Sequence, residues 1–328
     1  MSRVFSGIQP SGQAHLGNYA GALANWVRLQ DEYECFYCVV DYHAVTQPYE
    51  AADLAGRTLD MAVSVLAAGV DPEKATLFVQ SAVPEHTELA WLFNCVTPLG
   101  ELERQTQFKD KASRNRKNIT AGLLDYPVLQ ADDILLYKGE LVPVGEDQVQ
   151  HLELSREIAR RFNARFGEVF PEPQALLTGA KRILGLDGQA KMSKSLGNTV
   201  DMLATPEEIW DALRPAVTDT ARVRLKDPGD PEVCNVFTIH QSFTPEEKRD
   251  ELAAACRAGE IGCIDCKKVL AENLDAALAP IRERYRQLSE KPDEVRQILA
   301  AGAERCRGVA REVLGEAREA MGFLAPGE

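Results

Sequence analysis

The sequence predicts an α/β fold: a doubly wound, Rossmann-like parallel sheet with a C-terminal helical domain. Three observations carry this prediction. Short apolar runs alternate with helix-period segments through the first two-thirds of the chain. Loop-forming clusters (IQPSG, DYH and GEDQ) follow the apolar runs, at the strand ends where such sheets bind ligands. Beyond Lys191 the strand signals give way to apolar residues recurring every three or four positions.

Each element has its own signal. Arg3–Ser6 reads as the first strand, IQPSG as a loop, and about Leu16–Gln30 as a helix. Cys35–Asp41 is a continuous apolar run ending in an acid, the pattern of a strand buried on both faces. Ala51–Ala68 reads as a helix, Ala75–Gln80 as the third strand and Glu85–Cys95 as a helix. Leu141–Gly145 reads as a further strand, followed by a helix over Glu146–Phe166. In TPEEIW, Thr205 is an N-cap, Pro206 the first helical position and Glu208 the third, a capping box. FTPEEK (Phe243–Lys248) repeats that design. Two long amphipathic helices are marked by Leu270, Leu274, Leu278, Ile281, Tyr285 and Leu288, then by Val295, Leu299, Cys306, Val309 and Val313. The boundary falls in the loop-like stretch near residues 185–205, giving an α/β domain over 1–190 and a helical one over 191–328.

Composition narrows the class. The 328 residues are 45% hydrophobic and 27% charged, with 23 Gly and 17 Pro, which excludes collagen-like and disordered chains. No apolar run approaches the ~18 residues of a membrane span. The segment MSRVFSGIQPSG lacks the apolar core of a signal peptide. Eight cysteines then read as reduced thiols or metal ligands, and a cytoplasmic location is expected. A formal charge of -13 argues against a general nucleic-acid or DNA binder. The charge is uneven, however: -7 over residues 1–100, +1 over 101–200 and -7 over 201–328. An anionic ligand is therefore expected in the middle third.

Two segments suit phosphate handling. In SGIQPSGQAHLGNYAG (Ser6–Gly21) a strand gives way through a Gly/Pro loop to a helix start, where free N–H groups face a phosphate. Gly17 admits close approach, and His15 and Asn18 are candidate donors. KMSKS (Lys191–Ser195) places two lysines three apart in a loop able to close over a polyphosphate. Either segment alone also fits an ordinary helix start or a solvated basic loop. There is no Walker A loop and no GxGxxG.

HLGN with KMSKS resembles the HIGH-type and KMSKS signatures of class I aminoacyl-tRNA synthetases, with Asn18 where the last His is usual. SGIQPSG, VVDYHA, GELER (Gly100–Arg104), YPVLQADDILLY (Tyr126–Tyr137) and VPVGEDQ (Val142–Gln148) narrow the resemblance to tryptophanyl-tRNA synthetases, over nearly the whole chain. The resemblance implies activation of L-tryptophan by Mg²⁺-ATP and transfer to the 3′ end of tRNA(Trp). It implies that Gln9, Pro10, Ser11, His15, Gly17, Asn18, Gly145, Asp147, Ile183, Met192 and Ser193 bind ATP. Ser195 would bind ATP too, and Lys111, Lys191 and Lys194 would hold the triphosphate, with Lys111, Lys191, Lys194 and Gln9 as the catalytic set. Mg²⁺ would bind mainly through phosphate oxygens. Phe5, Gly7, Val40, His43, Tyr126, Gln130, Val144 and Gln148 would form the tryptophan site. Its indole acceptor is Asp133, the acid directly before ILLY; helix geometry turns Asp132 about 100° away, to a partly solvated or supporting place. Gln130 stands where many family members carry Met.

Cys234, Cys256, Cys263 and Cys266 have the spacing C-x21-C-x6-C-x2-C, which four thiolates could use for zinc or a 4Fe–4S cluster. With IGCIDCKK they resemble the family's 4Fe–4S-binding subset, with Zn²⁺ as the alternative. Cys35 and Cys38 face opposite sides of a strand and cannot share a metal. Cys95 and Cys306 read as core. Arg104, Lys109, Lys111, Arg114, Arg116 and Lys117 form the densest basic cluster, a solvated helix face or one in which Lys111 serves ATP and the SRNRK stretch the tRNA acceptor arm; Lys267, Lys268, Arg282, Arg284 and Arg286 suit the anticodon side. Trp210 and Phe237 are core or base-stacking residues. The resemblance further implies a homodimer. The rival readings are a tyrosyl-tRNA synthetase, a non-catalytic paralogue and a small-metabolite nucleotidyltransferase.

Overall fold

The computed structural model describes residues 1–106, 108–109, 119–145, 149–177, 183–190, 192–193 and 196–324. Its centre is a five-stranded sheet of order β3-β2-β1-β4-β5 with every pairing parallel. The strands are β1 (Arg3–Ile8), β2 (Glu34–Val39), β3 (Ala75–Val79), β4 (Leu141–Val144) and β5 (Gln174–Leu177). Order reversal at β1 creates a switch point at the carboxyl end of that strand, beside the IQPSG loop.

Helices follow most strands. Leu16–Asn18 (α1) runs through a π-helical turn at Tyr19–Leu23 into Ala24–Leu29 (α2). The expected unbroken helix is thus interrupted, and only Gly17 and Gly21 mark the place in the sequence. Asp41–Ala44 (α3) starts where the second strand was expected to end, and Ala51–Ala68 (α4) matches its prediction. Glu85–Asn94 (α5), Leu99–Arg104 (α6), Ala121–Leu135 (α7) and Val149–Phe166 (α8) complete the α/β part. The fifth strand has no counterpart in the sequence reading. Gln174–Leu177 is only four residues long and half-exposed at the sheet edge, so neither burial nor alternation marks it.

Pro206–Leu213 (α9), Asn235–Phe243 (α10), Glu246–Ala258 (α11), Cys263–Ser289 (α12) and Pro292–Ala320 (α13) follow. Thr205 and Glu208 form the expected capping box on α9. Its expected repeat before α11 does not form. The Thr244 hydroxyl is instead engaged by His240 Nδ1 at 2.8 Å and Asn273 Nδ2 at 3.0 Å. None of the described helices is long and apolar enough to cross a membrane.

The sheet separates two cores. Val4, Cys35, Tyr37 and Leu77 face one; Phe5, Phe36, Cys38 and Phe78 face the other. Cys35 and Cys38 do lie on opposite faces. Helix α13 joins both cores, giving Val295 and Leu299 to the first and Ala303, Cys306, Ala310 and Val313 to the second. It wraps the free edge of β3, which would otherwise expose unpaired backbone groups. Gly302 sits at the crossing, where a Cβ would lie 2.0 Å from the Leu77 carbonyl oxygen. Cys306 is core as expected, but Cys95 is exposed: it follows the last residue of α5 rather than lying on its inner face.

Gly302→Ala should destabilise the protein by about 2–3 kcal/mol through overpacking. Gly308→Ala, in the same helix with open space around it, should stabilise by about 0.5–1 kcal/mol. Urea midpoints of the two variants check the contrast.

Candidate active site

The loop after β1 and the chain after KMSKS are tied by backbone. Leu16 N–H donates to Val200 O at 2.9 Å, and Met202 N–H donates to Ala14 O at 3.0 Å, around an antiparallel bridge between His15 and Asp201. HLGN itself is a closed capping box: Asn18 N–H donates to His15 Nδ1 at 3.3 Å and His15 N–H donates to Asn18 Oδ1 at 3.0 Å. The candidate donors are therefore fixed by each other. Gly17 lies under the second signature, since a Cβ there would come 3.4 Å from Met192 Cβ. Met192 and Ile183 are both buried beside it in the first core. Gln9 and Pro10 are half-buried and buried, Ser11 is exposed, and Ser11 N–H donates to Gln9 O at 2.9 Å.

Asn198 holds the signature loop. Its Oδ1 accepts from Ser193 N–H at 2.8 Å and its Nδ2 donates to Asp187 Oδ2 at 2.9 Å. A Cβ on Gly185 would strike that amide at 2.0 Å, so glycine is required there. Lys111, Asp147, Gln148, Lys191, Lys194 and Ser195 lie outside the described residues, as do Arg114, Arg116 and Lys117.

The expected tryptophan site gathers at the carboxyl ends of β1 and β2. Phe5, Val40, His43, Tyr126 and Val144 are buried, Gln130 is half-buried, and Gly7 and Gly145 are exposed. Gly7 is needed for a close approach, because its Cβ would lie 2.8 Å from Val40 Cγ1. The His43 ring meets Tyr126 edge-on at 6.3 Å. Asp133 is engaged on both oxygens: one faces His43 Nε2 at 2.7 Å, and the other accepts from Gln80 Nε2 at 2.6 Å and lies 3.0 Å from His86 Nδ1.

Two of these partners have no signature in the sequence. Gln80 sits in the turn after β3 and His86 at the start of α5, each fully buried. Asp132 is also fully buried, not partly solvated. Its Oδ2 pairs with His86 Nδ1 at 2.9 Å, because α5 packs against α7 and closes off solvent on that side. Tyr137 Oη meets the other ring nitrogen of His86 at 2.8 Å.

The electrostatics follow from this packing. Burial pushes the Asp132 carboxyl up to about 8, against the pull of His86. Burial acts the same way on Asp133, but His43 and His86 outweigh it and hold that carboxyl below the usual range. Burial opposes charge on His86, yet the two acids raise it to about 10. The site thus keeps one ionised acceptor, Asp133, in an apolar slot.

The model of the family "tRNA synthetases class I (W and Y)" matches residues 1–279. The tryptophan–tRNA ligase of Deinococcus radiodurans is 53% identical over 99% of this chain and 99% of its own length. The chain belongs to the tryptophan–tRNA ligases. Another member, from Thermotoga maritima, is 47% identical over 98% of this chain and 99% of its own. The tryptophanyl-tRNA synthetase of Campylobacter jejuni, solved with ADP and tryptophan, aligns with a TM-score of 0.85 at 38% identity. It covers 98% of this chain and 100% of its own. The rival tyrosyl reading shares this family model, so the choice rests on the ligases' identity and the slot.

In this ligase the four cysteines surround one spot in the helical region. Arg222 Nη1 lies 3.9 Å from both Cys256 and Cys263 Sγ, and Cys266 Sγ lies 3.3 Å from His240 Nε2. A Cβ on Gly229 would come within 2.7 Å of Cys256 Sγ. Burial, with added repulsion from the other three thiols, pushes Cys266 up to about 12.

Several cations expected to face tRNA also make bonds within the protein. Lys267 is buried, and its Nζ donates to Arg214 O at 2.8 Å and Ala216 O at 2.6 Å, tying α12 to the end of α9. Arg282 bonds Ala204 O and Asp275, Arg284 bonds Ala67 O, and Arg286 pairs with Glu283 and Glu290. Lys268 is exposed and paired with Asp265. Phe237 is core and Trp210 half-buried.

The acid cluster predicts a pH signature. Asp132 and His86 both hold a proton more tightly folded than unfolded, so the stability they add is complete at low pH and is lost between about 3.8 and about 8 for Asp132 and between about 6.5 and about 10 for His86. Scanning calorimetry should show the melting temperature falling across that window, with the first part of the fall removed in Asp132→Asn. Equal slopes for both proteins would contradict the assignment.

Proposed function

We propose that the protein joins L-tryptophan to tRNA(Trp) in two steps, with Asp133 reading the indole N–H. The tryptophan carboxylate attacks the α-phosphorus of Mg²⁺-ATP, forming the carboxyl–phosphate bond of Trp-AMP while pyrophosphate leaves. A hydroxyl on the terminal ribose of the tRNA then attacks the carbonyl carbon, and AMP leaves. Positioning and charge stabilisation dominate such a reaction. The observation that carries the reading is Asp133: an ionised carboxylate with buried partners, set among Phe5, Val40, Tyr126 and Val144. An indole offers one N–H in an apolar body, which fits one acceptor in an apolar slot. A ligand lacking that N–H would leave the acceptor unpaired and be rejected by roughly 10⁴-fold or more.

Gln9, Pro10, Ser11, His15, Gly17 and Asn18 supply one wall for ATP, and Met192 and Ser193 the facing one, with Gly145 and Ile183 alongside. The adjacency of Gly17 and Met192 supports this. Lys111, Lys191, Lys194 and Ser195 are assigned to the triphosphate, with Gln9 completing the catalytic set. Asp147 is assigned to the ribose. Gly7, His43, Gln130 and Gln148 complete the amino-acid site. Residues 1–190 act as the catalytic domain, and 191–328 as the signature loop and anticodon-binding domain. The functional unit is a cytoplasmic homodimer that binds neither membrane nor DNA.

Cys234, Cys256, Cys263 and Cys266 fit a 4Fe–4S cluster better than zinc. Four half-buried thiolates need a compensating cation, and Arg222 supplies a single charge. The cluster would fix the fold of the anticodon-side helices.

ATP–pyrophosphate exchange tests the activity. Tryptophan should drive exchange and tyrosine should not; tyrosine-driven exchange without a tryptophan response would overturn the reading. Iron and acid-labile sulfide should be found in anaerobically purified protein, with a broad visible absorption band. One equivalent of zinc with no iron would assign zinc instead.

A further inference from the structure

The assigned slot explains Asp133 but leaves a buried group unused. His86 touches no surface and lies beneath the acceptor, with the Tyr137 hydroxyl on Nε2 at 2.8 Å and both acids on Nδ1, Asp132 at 2.9 Å and Asp133 at 3.0 Å. Carboxylates only accept, so Nδ1 carries a hydrogen shared between the two acids. Asp132 Oδ1 is buried with no hydrogen-bond partner. A bare carboxylate oxygen without a partner is costly to bury, whereas a neutral acid is far less so. Tyr137 is itself held by ring contacts: it stacks on Phe5 at 5.7 Å and on Phe36 at 4.9 Å. Phe5 lines the slot, so the stack, the imidazole and the acceptor form one continuous buried unit.

We propose that His86 is a positioning and specificity-determining residue of the indole slot: anchored by Tyr137, its imidazolium clamps the two adjacent acids so that Asp133 remains the charged acceptor and Asp132 carries a proton. This rests on the assignment of Asp133 to the indole. Asp133 is faced by His43 from α3, Gln80 from the turn after β3, His86 from α5 and Asp132 from its own helix. Cys38 of β2 lies near both acids, and Cys306 of α13 near Cys38 and Tyr137. His86 is the only one of these groups that contacts both acids among the described residues. Removing it leaves two neighbouring carboxyls with His43 as their one nearby imidazole. The acceptor then takes up a proton at neutral pH, and a protonated carboxyl is a poorer acceptor for an N–H.

The experiment measures tryptophan-dependent ATP–pyrophosphate exchange in the full-length protein. His86→Asn should raise KM for tryptophan by about tenfold or more while KM for ATP stays within about twofold. In that variant KM for tryptophan should fall as pH rises from about 6 to about 9, where the parent is flat. A merely structural lesion would not produce that pH trend. Tyr137→Phe, which keeps the stack and removes the anchor on Nε2, should raise KM by about fivefold with the same trend; it serves if His86→Asn does not fold. Asp132→Asn should stay within about threefold of the parent. Asp133→Asn is the control, scored on tryptophan against its benzothienyl isostere, which lacks the N–H. If that preference survives in Asp133→Asn, the slot assignment fails and the proposal with it. If it is lost there while His86→Asn and Tyr137→Phe keep the parent KM and a flat profile, the slot stands and the role of His86 is overturned. A stoichiometric divalent metal retained by the parent and lost in His86→Asn would also overturn it, assigning the same three side chains to an ion.

Discussion

Everything around the slot is organised by the need to bury two adjacent carboxyl groups. Taking a charge out of water costs several kcal/mol unless it is paired and hydrogen-bonded. Asp132 and Asp133 are at most 2% exposed, so their partners must arrive from other elements. They do: His43 from the helix after β2, Gln80 from the turn after β3, and His86 from the next helix. These elements all leave the carboxyl ends of parallel strands, which makes the ligand end of the sheet a place where buried charge can be balanced. The result is asymmetric. One acid is driven towards neutrality by burial, while the other is kept ionised by two imidazoles.

A second constraint couples the two signatures. HLGN and KMSKS are separated by more than half the chain, yet the segment after KMSKS pairs through its backbone with the segment around HLGN. Asn198 then anchors Ser193 to the Asp187 turn, and Gly185 and Gly17 remove the side chains that would keep these pieces apart. Helix α13 fastens the C-terminal residues to both faces of the sheet through the crossing at Gly302. The two signature loops and the helical region are therefore tied together. The acidic excess of the flanking thirds and the near-neutral middle fit this division: charge outside keeps polyanions from binding indiscriminately.

Legibility in the sequence followed locality. Strands β1 to β4 were readable because each is an apolar run of four to six residues between loop signals. Asp133 was singled out by its place before ILLY, and its paired neighbour by helix geometry. Gln80 and His86 were not, because their partnership with Asp133 spans 53 and 47 residues and depends on how β3 and α5 pack, which no local pattern encodes. The same reason left Asp132 between a partly solvated and a supporting place: its solvent side is closed by α5, about 40 residues away in sequence. Charge on a helix reads as solvated, yet Lys267 is buried, and carbonyls at the ends of neighbouring helices accept from Lys267, Arg282 and Arg284. Edge strand β5 lacked burial, and Thr244 lost its capping role to hydrogen bonds with His240 and Asn273.

The central claim is that His86 is an imidazolium locked between Tyr137 and the acid pair. Nitrogen-15 NMR of histidine-labelled protein reads that state directly, with His86 assigned by its substitution. The account predicts both ring nitrogens of His86 protonated at neutral pH and staying so until about pH 10. A neutral ring at neutral pH, with Nδ1 alone carrying hydrogen, would contradict it.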